Sequence, residues 1–309
     1  MDEFSPAYIN LYETGELEKR VAMGYEMLRE CNLCARKCGV NRLQDERGFC
    51  RSGSRVMVSS AGPHFGEESP LVGRYGSGTI FLTNCNLRCV FCQNYDISQL
   101  GNGREIELKE LAGAMLSLQK MGCQNINFVT PTHYIPQILA GLLIAVKNGL
   151  RVPLVHNCGG YESLEALRLL DGVFDIYMPD MKYGDNEAGK RYSKAPDYFD
   201  VVTTAVSEMH RQVGDLAINS QGIAGRGLLI RHLVLPNGLA GTGKILEYIS
   251  KLSKNSYVNI MEQYRPQFKA SDYPELNRRI SSEEFANAIS LAEKAGLSRG
   301  FYHDRRKWF

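Results

Sequence analysis

Six short β-rich runs, each followed by a stretch that can form a helix, constrain this chain more than any other feature. They cover residues 79–83, 126–130, 152–156, 174–178, 228–234 and 258–261. Between the first two, Leu108, Leu111, Ala112, Met115 and Leu118 recur at the three-and-four spacing of a helix with one buried face. Residues 135–146 and 282–295 read the same way. Such alternation implies right-handed crossovers and a parallel sheet, either open or curled. Six units are too few for a closed eight-fold barrel, so the expected fold is α/β, a partial (βα)6 TIM-like barrel over residues 76–309. In parallel barrels the chemistry gathers where loops leave the C-terminal ends of the strands. The glycine-rich residues 214–226 read as a mobile loop beside that face.

Seven of the nine cysteines fall between residues 31 and 92, leaving only Cys123 and Cys158 beyond. That asymmetry predicts a small cysteine-rich N-terminal extension, residues 1–75, joined to the barrel. The first twenty residues mix acids and bases with no apolar block, which does not read as a signal peptide. The longest apolar run, residues 138–146, is too short to span a bilayer. The cytoplasm is therefore the expected compartment, where metal binding by thiolates outranks a disulfide framework. A formal net charge of +2, with no long basic stretch, gives no reason to expect a nucleic-acid or membrane partner. The basic end Arg305-Arg306-Lys307 reads as a solvated tail.

Immediately after the first run stand Cys85, Cys89 and Cys92 in C-x3-C-x2-C spacing. Three thiolates in one loop can ligate three irons of a cubane and leave the fourth iron open to another ligand. A zinc knuckle needs a fourth protein ligand, and none lies nearby in the sequence. Upstream, Cys31, Cys34, Cys38 and Cys50 form C-x2-C-x3-C-x11-C. They can close a zinc site, hold a second iron–sulfur cluster, or remain reduced with Gly48-Phe49 forming a turn; the spacing does not choose.

At the ends of later runs, His133, Tyr134, His156 and Cys158 are candidates to line the mouth, as are Glu262, Tyr264 and Arg265 after the sixth. Cys123, at a helix end, reads as a small buried hydrophobe.

With the aromatic Phe91 directly before its last cysteine, the triad resembles the signature of the radical S-adenosylmethionine (SAM) superfamily. The resemblance implies a 4Fe-4S cluster on Cys85, Cys89 and Cys92. Its open iron binds SAM and reductively cleaves it to methionine and a 5′-deoxyadenosyl radical, which abstracts hydrogen. Over residues 78–265 the chain is similar to the activating enzymes of glycyl radical enzymes such as pyruvate formate-lyase. Tyr177-Met178-Pro179-Asp180-Met181-Lys182 resembles their strand-end motif, and Ile230-Arg231-His232 a later strand. By that resemblance Asp180 and Lys182 lie near the methionine part of SAM and Arg231 near its ribose or carboxylate, so the implied cofactor set is Phe91, Thr130, Thr132, Asn157, Asp180, Lys182 and Arg231.

Two segments depart from the family pattern. Thr130-Pro131-Thr132-His133 stands where a Gly-Gly-Glu stretch holds the cofactor's amino group, a task backbone carbonyls can also serve. Asn157-Cys158-Gly159-Gly160 replaces an Asp-Thr-Asn-Gly cation site. The cysteine-rich start and Cys92-Gln93-Asn94-Tyr95 are most similar to the branch called pyruvate formate-lyase activating protein homologue. The resemblance implies an oxidoreductase acting on a glycine of a partner enzyme, with a flavodoxin- or ferredoxin-type electron donor. Radical modification of another protein, peptide or small molecule stays open, as does a non-catalytic iron–sulfur carrier or interaction module.

Overall fold

The computed structural model describes residues 4–301, so the basic end lies outside the described residues. All six expected runs are strands, and they form the parallel part of a nine-stranded sheet. In chain order the strands are β1 (Val56–His64), β2 (Ser77–Leu82), β3 (Arg104–Ile106), β4 (Ile126–Val129), β5 (Leu154–Cys158), β6 (Ile176–Pro179), β7 (Ala217–Ile218), β8 (Ala224–Leu233) and β9 (Tyr257–Met261). β2, β4, β5, β6, β8 and β9 run parallel in that spatial order. β1 joins β2 antiparallel, β3 joins β1, and the sheet does not close on itself. The fold is thus the expected α/β partial barrel.

The expected helices form at Leu108–Lys120, Ile135–Lys147 and Ser282–Lys294. Reciprocal capping boxes start the first and last, Glu107 with Glu110 and Ser281 with Glu284, satisfying backbone donors that a helix start leaves open. Leu111, Ala112, Met115 and Leu118 are buried on the side of the sheet that the helices cover. The N-terminal helix Glu16–Glu26 lies on Ile135–Lys147, with Gly24 close against Pro136. No helix among the described residues is long and apolar enough to cross a membrane.

Alternation along each strand separates two cores. Cys158, Tyr177, Leu228, Ile230 and Val258 face the helices, whereas Val155, Ile176, Met178, Leu229 and Tyr257 face inward around Leu71. Leu71 belongs to a segment that enters the barrel after β1. It includes the short helix Ser69–Val72 and sends Glu67 and Glu68 to the strands.

One expectation is corrected here. Residues 214–226 do not lie beside the active face: β7 pairs antiparallel with the start of β8, level with the first residues of β6. Gly214 and Gly222 take left-handed backbone at φ 70° and 80° in open space, whereas just beyond them Gly227, φ 124°, is tightly packed: a Cβ there would sit 2.4 Å from Leu216 Cα.

Candidate functional site

The loop after β2 is held at its root before any cysteine appears. Asn84 takes the left-handed backbone, φ 66°, and its amide reaches Ser52 Oγ at 3.3 Å and the Tyr134 hydroxyl at 3.4 Å. His133 Nε2 lies 2.9 Å from the Thr83 carbonyl. His133 and Tyr134 therefore brace the loop from within and do not line the mouth, correcting the expectation for both. Burial drives the His133 pKa down to about 3, so the ring is neutral at physiological pH.

Each thiol of the triad is hydrogen-bonded, and Cys85 also donates to Asn86 Oδ1 at 3.9 Å. The Leu87 N–H donates to Cys85 Sγ at 3.3 Å, the Ser193 hydroxyl to Cys89 Sγ at 2.9 Å, and Ser98 Oγ lies 3.1 Å from Cys92 Sγ. Burial, then repulsion from Cys89, raises the pKa of both Cys85 and Cys92. Cys89 is buried and Cys85 and Cys92 are half-buried, so ionising all three thiols in one loop calls for cationic charge among them, and the hydrogen bonds leave sulfur lone pairs for it. The donor set suits an iron–sulfur cluster. Phe91 packs edge-on against Tyr183 and Tyr264, at centroid distances of 6.3 and 5.7 Å.

Across the cleft stand three charged side chains from the ends of β6 and β8. Asp180 accepts from Lys182 Nζ at 2.6 Å and from Arg231 Nε at 2.7 Å. Burial alone would raise the Asp180 pKa, but Arg231 and Lys182 outweigh it and hold the carboxylate ionised. Lys182 is opposed by burial and kept charged by Asp180 and Cys89. The Tyr198 hydroxyl fixes the turn, donating to the Asp180 carbonyl at 2.8 Å and accepting from the Lys182 N–H at 3.0 Å. Cys89, Phe91, Cys92, Asp180, Lys182 and Arg231 line one cavity of about 220 Å³.

Beneath Arg231 lie two acids that the sequence reading missed. Glu67 accepts from Asn127 at 2.7 Å and Asn157 at 3.3 Å and pairs with Arg231 at 3.4 Å; Glu68 accepts from Asn259 at 3.1 Å. Burial pushes the Glu68 carboxyl up to about 8, with Arg231 opposing and Glu67 adding to the rise. Asn157 also accepts from Arg231 at 2.7 Å, so it positions the guanidinium.

The remaining expected residues are not brought to the cleft. Thr132 gives its hydroxyl to Glu162 at 2.7 Å, on the helix-covered side. Thr130 takes the left-handed backbone at φ 61° and bonds the Asn157 carbonyl through its N–H. His156 and Cys158 are buried on that same helix side, contrary to the expectation that they face the mouth. Tyr264 is buried behind Phe91, with its hydroxyl on the Leu276 carbonyl, while Glu262 and Arg265 are exposed around a neighbouring cavity. Cys123 is buried as expected.

The four N-terminal cysteines gather beside the triad loop, and all nine cysteines of the chain are free of disulfides. Cys34 has its thiol pushed up to about 12 by burial, with Cys50, Glu162 and Cys31 adding to the rise. A Cβ on Gly48 would lie 2.4 Å from Cys38 Sγ, so any larger residue there would have to displace that thiol. Arg42, fully buried, donates to the Gly53 carbonyl at 2.6 and 3.1 Å and to the His133 carbonyl at 2.7 Å, and lies 4.0 Å from Cys31 Sγ. Arg36 stacks on Phe49 at 3.8 Å and donates to the Asn86 carbonyl at 3.0 Å inside the triad loop.

An open parallel barrel with a three-thiol loop and a charged group at its mouth defines a class of cluster-dependent enzymes. The chain belongs to the radical SAM superfamily, whose family description matches residues 79–220. It is 39% identical over 291 residues to the uncharacterized protein MJ0674 of Methanocaldococcus jannaschii, covering 91% of this chain and 79% of that protein. A second relative from the same organism, the uncharacterized protein MJ0808, is 28% identical over 174 residues, which are 49% of this chain and 50% of the relative. The crystal structure of HydG, a maturase of the FeFe-hydrogenase, superposes with a TM-score of 0.52 at 16% identity over 72% of this chain. The chain spans half the length of HydG, and that likeness concerns the fold.

Proposed function

We propose that Cys85, Cys89 and Cys92 ligate the 4Fe-4S cluster, that SAM lies in the cavity Cys89 and Cys92 share with Asp180, Lys182 and Arg231, and that the hydrogen abstracted belongs to a glycine of a partner enzyme. A 4Fe-4S cluster held there by Cys85, Cys89 and Cys92 would supply the electron for reductive cleavage of SAM. Lys182, kept charged by Asp180, offers an ammonium to an anionic part of the cofactor. Arg231 is held in place by Asp180, Asn157 and Glu67, which leaves it little freedom to lose on binding. Phe91, locked between two tyrosines, shields the cluster side of the cavity from water.

The observation that carries this reading is the sharing of one cavity by Cys89, Phe91 and Cys92 on one side and Asp180, Lys182 and Arg231 on the other. The glycyl partner is supported by the similarity of the Asp180-Met181-Lys182 and Arg231 segments to activating enzymes and by a sheet whose open wall leaves room for a large substrate. A flavodoxin- or ferredoxin-type protein is the proposed electron donor. Residues 1–75 are read as an extension whose four thiols hold a second metal, zinc or iron–sulfur; the buried cation Arg42 beside Cys31 suits an anionic thiolate centre.

The test is anaerobic. Wild-type protein, reconstituted with iron and sulfide and reduced, is given SAM and assayed for 5′-deoxyadenosine beside Cys89→Ala. Formation by wild type and its loss in the variant is the expected result. An intact reduced cluster that leaves SAM uncleaved would instead favour the electron-carrier role. A candidate partner carrying deuterated glycine should then pass deuterium into 5′-deoxyadenosine; protium alone would exclude glycine as the donor.

A further inference from the structure

Behind β5, on the face away from the cleft, three side chains with metal-binding chemistry converge. His156, Cys158 and Glu162 are all buried, and ligand atoms from the three lie within 4.8 Å of one another. Their hydrogen bonding is incomplete. Neither ring nitrogen of His156 has a partner, nor does Glu162 Oε2, which stands 3.5 Å from His156 Nε2 without forming a hydrogen bond. Buried polar atoms are rarely left so, because each gives up water and gains nothing.

The surroundings hold these groups in position. Phe174 and Tyr177 flank the imidazole at centroid distances of 4.9 and 5.6 Å. Thr132 occupies Glu162 Oε1 at 2.7 Å and leaves Oε2 aimed at the histidine. The Cys158 thiol is held well above its ordinary pKa by burial first and then by Glu162. A cation between the three groups would reverse that repulsion, releasing the thiol proton as it bound.

We propose that His156, Cys158 and Glu162 hold a single divalent transition-metal ion of the zinc type, separate from both cysteine clusters. One nitrogen, one sulfur and one carboxylate oxygen form a borderline donor set that suits zinc and does not suit calcium or magnesium. The ion has a place in the architecture. The Glu162 backbone bridges to Cys34, which anchors the N-terminal cysteines on the sheet. Asn157, between two of the ligands, points the other way and holds Arg231 at 2.7 Å. Fixing His156 and Cys158 from behind therefore fixes the strand end that positions Arg231.

The test compares zinc and iron contents of full-length protein purified anaerobically with zinc sulfate present. His156→Gln and Glu162→Gln should each bind one equivalent of zinc less than wild type, with iron unchanged. Equal zinc in all three proteins would overturn the proposal, leaving an internal water to bridge these groups. Zinc-edge X-ray absorption on Cys38→Ser, which disables the N-terminal set, needs no change at the proposed site. A shell of one sulfur at ~2.3 Å with the remainder nitrogen or oxygen at ~2.0–2.2 Å is expected. A shell of three or four sulfurs, or no bound zinc, would refute the site.

Discussion

Replacing Arg42 with methionine removes a buried cation whose partners are two carbonyls and a thiol, none of them a carboxylate. Two effects compete. Removing the charge relieves its desolvation, and the methionine stem fills much of the apolar space. Against that, the Gly53 and His133 carbonyls lose charge-assisted donors, at ~1–3 kcal/mol for each buried group left short. Replacing a buried ion together with its partners is often harmless, but here only one side is removed, so the loss prevails. We expect a destabilisation of about 3 kcal/mol. Arg42→Lys should cost less but not nothing, since a single ammonium cannot reproduce the fork that spans both carbonyls. The assay is urea unfolding of the metal-free protein under anaerobic conditions, followed by far-ultraviolet circular dichroism. Loss of less than ~1 kcal/mol in Arg42→Met would refute the reading that this guanidinium ties the N-terminal segment to the turn at His133.

Lys182→Ala should reduce 5′-deoxyadenosine formation by roughly 10–100-fold, the worth of one charge-assisted contact, with cluster absorbance unchanged; equal rates would remove Lys182 from the cofactor site. Glu68, with its carboxyl raised to about 8 when folded against 4.5 otherwise, binds a proton more tightly in the native state. Its contribution to stability is therefore full below about pH 4.5 and lost as the pH rises through 8. Glu68→Gln should flatten that fall in unfolding curves taken between pH 5 and 8, and an unaltered slope would contradict the assignment. His133 acts with opposite sign: its folded pKa near 3 means stability is lost as the pH falls below 6.5, and His133→Gln should lessen acid sensitivity in the same assay. On the proposal that the N-terminal cysteines hold a second metal, Gly48→Ala, which brings a methyl to 2.4 Å from Cys38 Sγ, should lower the metal content of the reconstituted protein while leaving the iron of the proposed triad cluster in place.

The parallel strands were legible because β4, β5 and β6 are buried on both faces and therefore read as short, nearly continuous runs. β1 was not. It lies towards the antiparallel edge, half exposed and carrying Pro63, and its stability comes from a ladder with β2 that no local pattern announces. Glu67 and Glu68 were invisible for a related reason. An acidic pair in a loop ordinarily faces water, and what holds this one are amides as far as 60 and 191 residues away in sequence. A glycine-rich stretch is equally ambiguous: residues 214–226 form the turn that pairs β7 with the start of β8, far from the cleft, and not a lid upon it.

The triad's spacing is plain in the sequence, but at the end of β5 local spacing is not enough. His156, Asn157 and Cys158 were all expected to serve the mouth, although side chains alternate faces along a strand and adjacent residues cannot share one. Period-two alternation therefore already required that either Asn157 or the His156 and Cys158 pair be turned away. Which of them turns depends on register against β4 and β6, where Val129 and Met178 lie opposite Asn157. That single parity sends Asn157 to Arg231 and gives the helix side a histidine and a thiol with a carboxylate between them. A one-residue slip would exchange the two, so the register of β5 sets the inner face of the cleft and the outer cluster together.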